Sequence, residues 1–360
     1  MGLPMGPQHA YGKAYLAATV EPGQLGPPVF SHLQNQFPLR LLTPHAACRN
    51  ATITAAKYEK VPVKGIGILY VVGFGGGLVS GDHVDLEVDV GSNTRLLLLT
   101  QGSTKVFRER RGGDPIASLQ GQRPPLPVSE QYFRYIVRPN ATLVLLPSPV
   151  TCFARSRYMQ TQRIDLRNAQ TCSLVLLDWF TAGRLYVDTD DRIPELWHFF
   201  LYHSRNEVRI DGEVVLRDRQ HLEQDLPEKL VRGVPTELSF RCIPYKCYGM
   251  FVLYGIECAE ICEELSKKFD CIEQPQPLLR SGGATAASRV TPQDVLWSVS
   301  PLCSGAPIPG GELRKRPTDM PGIILRFAGI DMDTTQAWLR DNLKSLRYLI
   351  GDDMYRIAFS

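Results

Sequence analysis

The chain has 360 residues, 44% of them hydrophobic and 21% charged, with 40 Lys and Arg against 37 Asp and Glu for a formal net charge of +3. This length and composition exclude a disordered chain, a collagen and a coiled coil, and suit one large core that needs neither disulfides nor metal. The balanced charge points away from nucleic acid and from anionic membrane as partners.

In chain order, residues 1–36 show no clear period and are expected to be flexible, which leaves a core over about 37–360. The first residues lack a basic segment leading into an apolar stretch, and no apolar run reaches the roughly 18–20 residues of a membrane span. A cytoplasmic protein is therefore expected, with its nine cysteines reduced. The apolar strand Gly67–Val72 runs into Gly73-Phe74-Gly75-Gly76-Gly77 and on to Asp82. Neither a Lys-Ser/Thr pair nor a helical pattern follows, so the glycines form neither a P-loop nor a dinucleotide fingerprint. They suit a tight strand connection with positive φ. Asp82 either bonds loop N–H groups or lines a polar pocket. His83–Val90 alternates apolar and polar without a break, a strand with one wet face.

Arg95–Thr100 is a further strand and ends in the polar run Gln101-Gly102-Ser103-Thr104-Lys105. A Ser103/Lys105 pair is compatible with nucleophilic catalysis, but no third group accompanies it. Strands follow at Tyr132–Val137, Thr142–Leu146 and Ser173–Leu177. Cys152 is either a soft metal ligand or a small buried thiol. Asp178 closes an apolar strand, where a carboxylate needs a partner, and Arg184 is the nearest candidate. Pro194–Tyr202 reads as a weak helix. Asp211-Gly212 marks a hairpin within Glu207–Leu216. Later strands are expected at Met250–Gly255, Ile323–Phe327 and Tyr355–Phe359. Two helices carry an apolar stripe: Cys258, Ile261, Cys262, Leu265 and Phe269 on one, and Leu339, Leu343, Leu346 and Ile350 on the other. Asp333 is the expected cap of the second helix and Gly351 its stop. Segments near 110–128, 280–290 and 303–321 read as inserted surface loops. The fold class is mainly β, a single domain of many short strands in stacked or coiled sheets with about two α-helices. Neither the cysteine nor the histidine spacing matches a zinc motif.

Four blocks in this order resemble the urease accessory protein UreD family, called UreH in some bacteria. They are Gly75–Asp82, Leu99–Arg108, Leu146–Val150 and Leu177–Arg184, followed by Glu195-Leu196-Trp197, Tyr202, Ser204 and Val208–Gly212. The loop insertions look like a eukaryotic, fungal-type version, and Pro194 stands where the family has Gly. The resemblance implies a β-helix-like stack of strands and a maturation factor rather than an enzyme. It implies binding to apo-urease and a UreF-like partner, and through the latter to a UreG-like GTPase that carries nickel. It further implies an internal polar tunnel for the ion, with no tightly bound cofactor and only transient Ni²⁺. Such a passage suits exchangeable oxygen ligands. Asp82, Asp178 and Glu195 are the candidate nickel contacts; Lys105 and Arg184 would hold them, and Thr100 would join the polar lining. A docking scaffold without metal contact is the alternative, and a Ser103/Lys105 hydrolase stands further off.

Overall fold

Two apolar patterns in the sequence become two kinds of sheet. The protein, a computed structural model, is described here over residues 8–21, 24–44, 65–108, 127–184, 194–224, 234–272, 293–302 and 322–359. The first strands are β1 (His9–Ala17), β2 (Val20–Glu21), β3 (Gln24–Leu25), β4 (Val29–Asn35), β5 (Leu39–Leu42), β6 (Ile66–Gly73) and β7 (Gly77–Leu78). Next come β8 (His83–Val90), β9 (Arg95–Thr100), β10 (Thr104–Val106), β11 (Ser129–Val137), β12 (Thr142–Leu145), β13 (Val150–Cys152) and β14 (Arg157–Leu166). The last are β15 (Ser173–Thr181), β16 (Leu201–Ile210), β17 (Glu213–Glu223), β18 (Cys247–Tyr254), β19 (Val295–Pro301) and β20 (Gly322–Gly329).

The first sheet has the order β17-β16-β14-β11-β8-β1-β4, and the second runs β19-β20-β18-β15-β12-β9-β6-β5, with β7, β10 and β13 joined to it. From β6 to β16 the chain alternates between them. β8, β11, β14 and β16 pair in parallel in the first sheet, and β6, β9, β12 and β15 pair in parallel in the second. First-sheet strands alternate because one face is wet: in β8, Val84, Leu86 and Val88 are buried while His83, Asp85 and Glu87 face outward. The central strands of the second sheet are apolar on both faces, as in Leu96–Leu99 of β9. Leu96 and Leu98 join the core between the sheets, and Leu97 and Leu99 join a second core on the far side.

That second core is covered by helices. The described helices are α1 (Glu237–Cys242), α2 (Ala259–Asp270), α3 (Met332–Asn342), α4 (Arg347–Ile350) and α5 (Asp352–Ala358). Ile261, Cys262 and Leu265 of α2 and Leu339 of α3 bury against the second sheet. A buried ion pair fastens this layer. Arg95 on β9 reaches Glu257 at 2.9 Å and also donates to the Leu349 carbonyl at 2.9 Å. Thr142 donates to the same Glu257 oxygen at 2.9 Å.

Several expectations need correction. Within the stretch expected to be flexible, β1 and β4 are strands of the first sheet, and β1 lies between β8 and β4. Pro194–Tyr202 is not a helix. Trp197 takes φ +61° and bonds back to Ala182, while Trp197, Phe199 and Tyr202 all enter the inner core. Tyr355–Phe359 is not a strand: Gly351 at φ +83° ends α4, Asp352 and Asp353 favour a new helix start, and Tyr355 and Phe359 pack at helical spacing. Asp331, not Asp333, caps α3 by accepting from Thr334 N–H at 2.7 Å. The second expected helix is broken into α3, a short 3-10 turn (Lys344–Leu346) and α4. Five helices are described rather than two. The expected hairpin at Asp211-Gly212 joins β16 to β17. The seven cysteines among the described residues are free thiols. Of the insertions expected near 110–128, 280–290 and 303–321, residues 110–126, 280–290 and 303–321 lie outside the described residues.

Removing one partner of a buried pair leaves the other charge uncompensated. Glu257→Gln is therefore expected to lower unfolding stability by about 3–5 kcal/mol in urea melts, and Glu257→Gln with Arg95→Met to recover much of that loss. An additive double variant would contradict the coupling.

Candidate functional site

The parity of two neighbouring strands puts polar side chains into the core. In β14 the buried positions read Tyr158, Gln160, Gln162, Ile164 and Leu166; in β16 they read Tyr202, Ser204, Asn206, Val208 and Ile210. The parallel register sets Gln160 beside Ser204 and Gln162 beside Asn206, and Gln131 of β11 beside Gln160. These groups face β15 of the opposite sheet, where Asp178 is only 4% exposed.

Asp178 is held entirely by neutral donors among the described residues. Its carboxylate accepts from Asn206 Nδ2 at 2.6 Å, Ser204 Oγ at 2.7 Å and Gln160 Nε2 at 3.1 Å. Gln162 Nε2 donates to Asn206 Oδ1 at 3.0 Å, and Tyr158 Oη lies 2.7 Å from Gln131 Oε1 and 2.8 Å from Gln160 Oε1. Burial pushes the Asp178 carboxyl above its ordinary range, with the three hydrogen bonds opposing it and the Asp218 charge adding to it. Asp218 is itself buried on β17 opposite Asn206, and Arg326 of β20 pairs with it at 2.8 Å.

A cavity of about 120 Å³ opens on this seam, large enough for several waters. Asp178, Gln160, Gln162 and Gln131 line it inside, and Thr100, Ser103 and Ser148 line it toward the end of β9. Thr100 also accepts from Ser148 N–H at 2.9 Å. The cavity thus brings together Thr100 and Asp178 of the expected residues.

The remaining candidates sit elsewhere. Asp82 lines neither this cavity nor the larger cleft beside it. Its two oxygens accept from Val79 N–H at 2.7 Å and Gln8 N–H at 2.9 Å. This is the loop-bonding alternative, and Gly75 and Gly76 there take φ +81° and +77°. Arg184 does not partner Asp178. It makes a two-pronged pair with Glu195, at 2.7 and 3.0 Å, and its guanidinium lies over Phe153 at 4.2 Å. Lys105 is exposed; with Arg184, Lys246 and Asp333 it lines an open cleft of about 1130 Å³. No hydrogen bond joins Ser103 to Lys105 among the described residues. Cys152 is buried and its thiol is pushed up to about 12 by that burial, which suits a packed side chain better than a ligand.

Sequence reasoning found Asp178 but missed Gln131, Gln160, Gln162 and Asn206, and it named Ser204 only among the matching blocks, with no role. The available signal was amide and hydroxyl residues at the buried parity of an alternating strand.

The family profile described as UreD urease accessory protein matches residues 12–357. A Cryptococcus neoformans relative, "Urease accessory protein 4", is 26% identical over 332 residues, 91% of this chain and 90% of its own. An Anaeromyxobacter protein, "Urease accessory protein UreD", is 30% identical over 318 residues, 88% of this chain and 80% of its own. A Schizosaccharomyces pombe protein named as ureD-like is 37% identical over 194 residues, 52% of this chain and 58% of its own.

The raised Asp178 carboxyl sets a pH dependence. Between the ordinary carboxylate value of about 3.9 and the higher folded value, the folded protein keeps a proton that the unfolded chain has lost. Stability relative to Asp178→Asn is therefore greatest below the unfolded value and falls as pH rises through the folded one. Urea melts at about pH 4 and about pH 7 should show the wild type losing ground to Asp178→Asn; a pH-independent difference would contradict the buried charge.

Proposed function

The chain belongs to the UreD urease accessory protein family and serves urease maturation; we propose that it does so as a nickel-conducting scaffold. In this reading it binds apo-urease together with UreF-like and UreG-like partners, and the ion released by the GTPase crosses the polar seam between the sheets. The relatives carry names of accessory proteins rather than of an enzyme, and no role here requires this chain to make or break a covalent bond.

One observation carries the reading: Asp178 is a buried carboxylate beside a cavity, with neutral donors and no cationic partner among the described residues. A side chain present only for packing would be costly in this form. A cation passing through would find one anionic oxygen ligand, with amide oxygens of Gln131, Gln160 and Gln162 nearby. Oxygen donors of this kind are hard and exchangeable, which suits an ion that must leave again. Thr100 lines the same cavity as Asp178; Asn206 bonds Asp178 and stands opposite Asp218, which pairs with Arg326. Asp82 and Glu195 then act as fasteners, Asp82 for the glycine loop and Glu195 for Arg184, leaving Asp178 as the principal contact of the cargo. Lys105 and Arg184, both on the open cleft, are suited to meet an acidic partner surface.

Co-expression with apo-urease and both accessory partners tests this. Asp178→Asn is expected to leave the complex intact by pull-down and to lower nickel per urease active site by about tenfold, the scale of losing one ligand-orienting group. Asp218→Asn should act in the same direction. Wild-type nickel loading by Asp178→Asn would leave only the docking role.

A further inference from the structure

We propose that His9, His83 and Asp85 form a surface site for a divalent ion of the cobalt, nickel or zinc kind, separate from the Asp178 cavity. The site follows from strand register. β1 and β8 run in parallel with His9 opposite His83, and Asp85, two residues along β8, shares the outward face. The ligand atoms of the three side chains all lie within 4.8 Å of one another.

The details favour a metal over a plain charge cluster. Both imidazoles turn Nε2 onto a single carboxylate, one to each oxygen: His9 Nε2 lies 2.7 Å from Asp85 Oδ2 and His83 Nε2 lies 3.2 Å from Asp85 Oδ1. The two rings meet edge to face with centroids 4.7 Å apart. One dication placed among the three groups would meet both Nε2 atoms and the carboxylate together. Metal–ligand bonds of about 2.0–2.2 Å need donors roughly 3–3.5 Å apart, so small side-chain rotations suffice. Two histidines and one carboxylate with open positions suit a borderline transition ion rather than Mg²⁺ or Ca²⁺.

A supporting group is already present. Glu130 of β11 sits opposite His83 on its other side, with Oε2 3.3 Å from His83 Nδ1. A carboxylate on the far nitrogen fixes the tautomer that leaves Nε2 free to coordinate. The backbone beneath is pinned as well. Asp82 accepts from Gln8 N–H, and His83 N–H donates to the Gln8 carbonyl at 2.8 Å. The buried carboxylate of Asp82 therefore holds the start of β1, and with it His9, against β8. The side chains themselves are accessible, His9 at 67% and His83 at 36% exposure, so an ion can enter from solvent.

The inference does not depend on nickel crossing the interior, and its test separates the two. The untagged full-length chain is titrated with Co²⁺, read by visible absorption, and with Ni²⁺, read by equilibrium dialysis. Wild type is expected to bind one ion that His9→Ala and Asp85→Asn lose by tenfold or more in affinity. His9 is largely exposed, so His9→Ala should keep the wild-type circular dichroism spectrum. Glu130→Gln should weaken binding about 10–100-fold, while Asp178→Asn leaves this ion in place. Absence of binding by the wild type, equal affinity in His9→Ala, or loss in Asp178→Asn alone would each overturn the assignment.

Discussion

The three hydrogen bonds received by Asp178 set the terms for the middle of this molecule. They come from β14 and β16 of one sheet and end on β15 of the other, so they tie the two sheets across a largely apolar layer, with the Asp218–Arg326 pair as a second polar tie. A buried carboxylate tolerates such a place only when its lone pairs are filled. The neighbours must then be amides and hydroxyls, and those side chains break apolar packing locally. The cavity beside Asp178 follows from that requirement.

The alternation of the chain between the sheets makes this arrangement possible. Each passage lays one strand in parallel on its predecessor, so a polar residue at a buried position in one strand finds its counterpart in the next: Gln131, Gln160 and Ser204 form one row across β11, β14 and β16. Parallel stacking turns separate polar residues into a continuous seam. On the other side of the second sheet no such row is found among the described residues, and the Arg95–Glu257 pair anchors the helical layer.

Much of the fold was legible in the sequence, and the misses have physical reasons. Strict alternation in His83–Val90 reported correctly on one wet face, and the unbroken leucines of Arg95–Thr100 on a strand. The hairpin at Asp211-Gly212 and the α2 stripe were equally plain. Tyr355–Phe359 misled because a five-residue apolar segment fits either period, and Gly351 decides it by ending one helix and letting another start. β1 was missed because Gly12 and its small and aromatic neighbours weaken the pattern; the strand is held by pairing on both edges. Of the candidate site, Asp178 was visible as a carboxylate ending an apolar run. Its true partners were not, because register between strands distant in sequence is invisible to local pattern. Proximity in sequence suggested Arg184, but Gly183 at φ +130° and the return of Glu195 against it direct that guanidinium elsewhere. Asp82 likewise serves backbone N–H groups, and its influence passes to the neighbouring histidines through the position of β1.

The most direct measurement is anomalous diffraction at the nickel edge from crystals of the chain with its accessory partners, grown with Ni²⁺. A nickel peak within coordinating distance of the Asp178 carboxylate, between the two sheets, is the expected result. Nickel confined to the outer surface, with the carboxylate still bonded only to Gln160, Ser204 and Asn206, would contradict the interior passage.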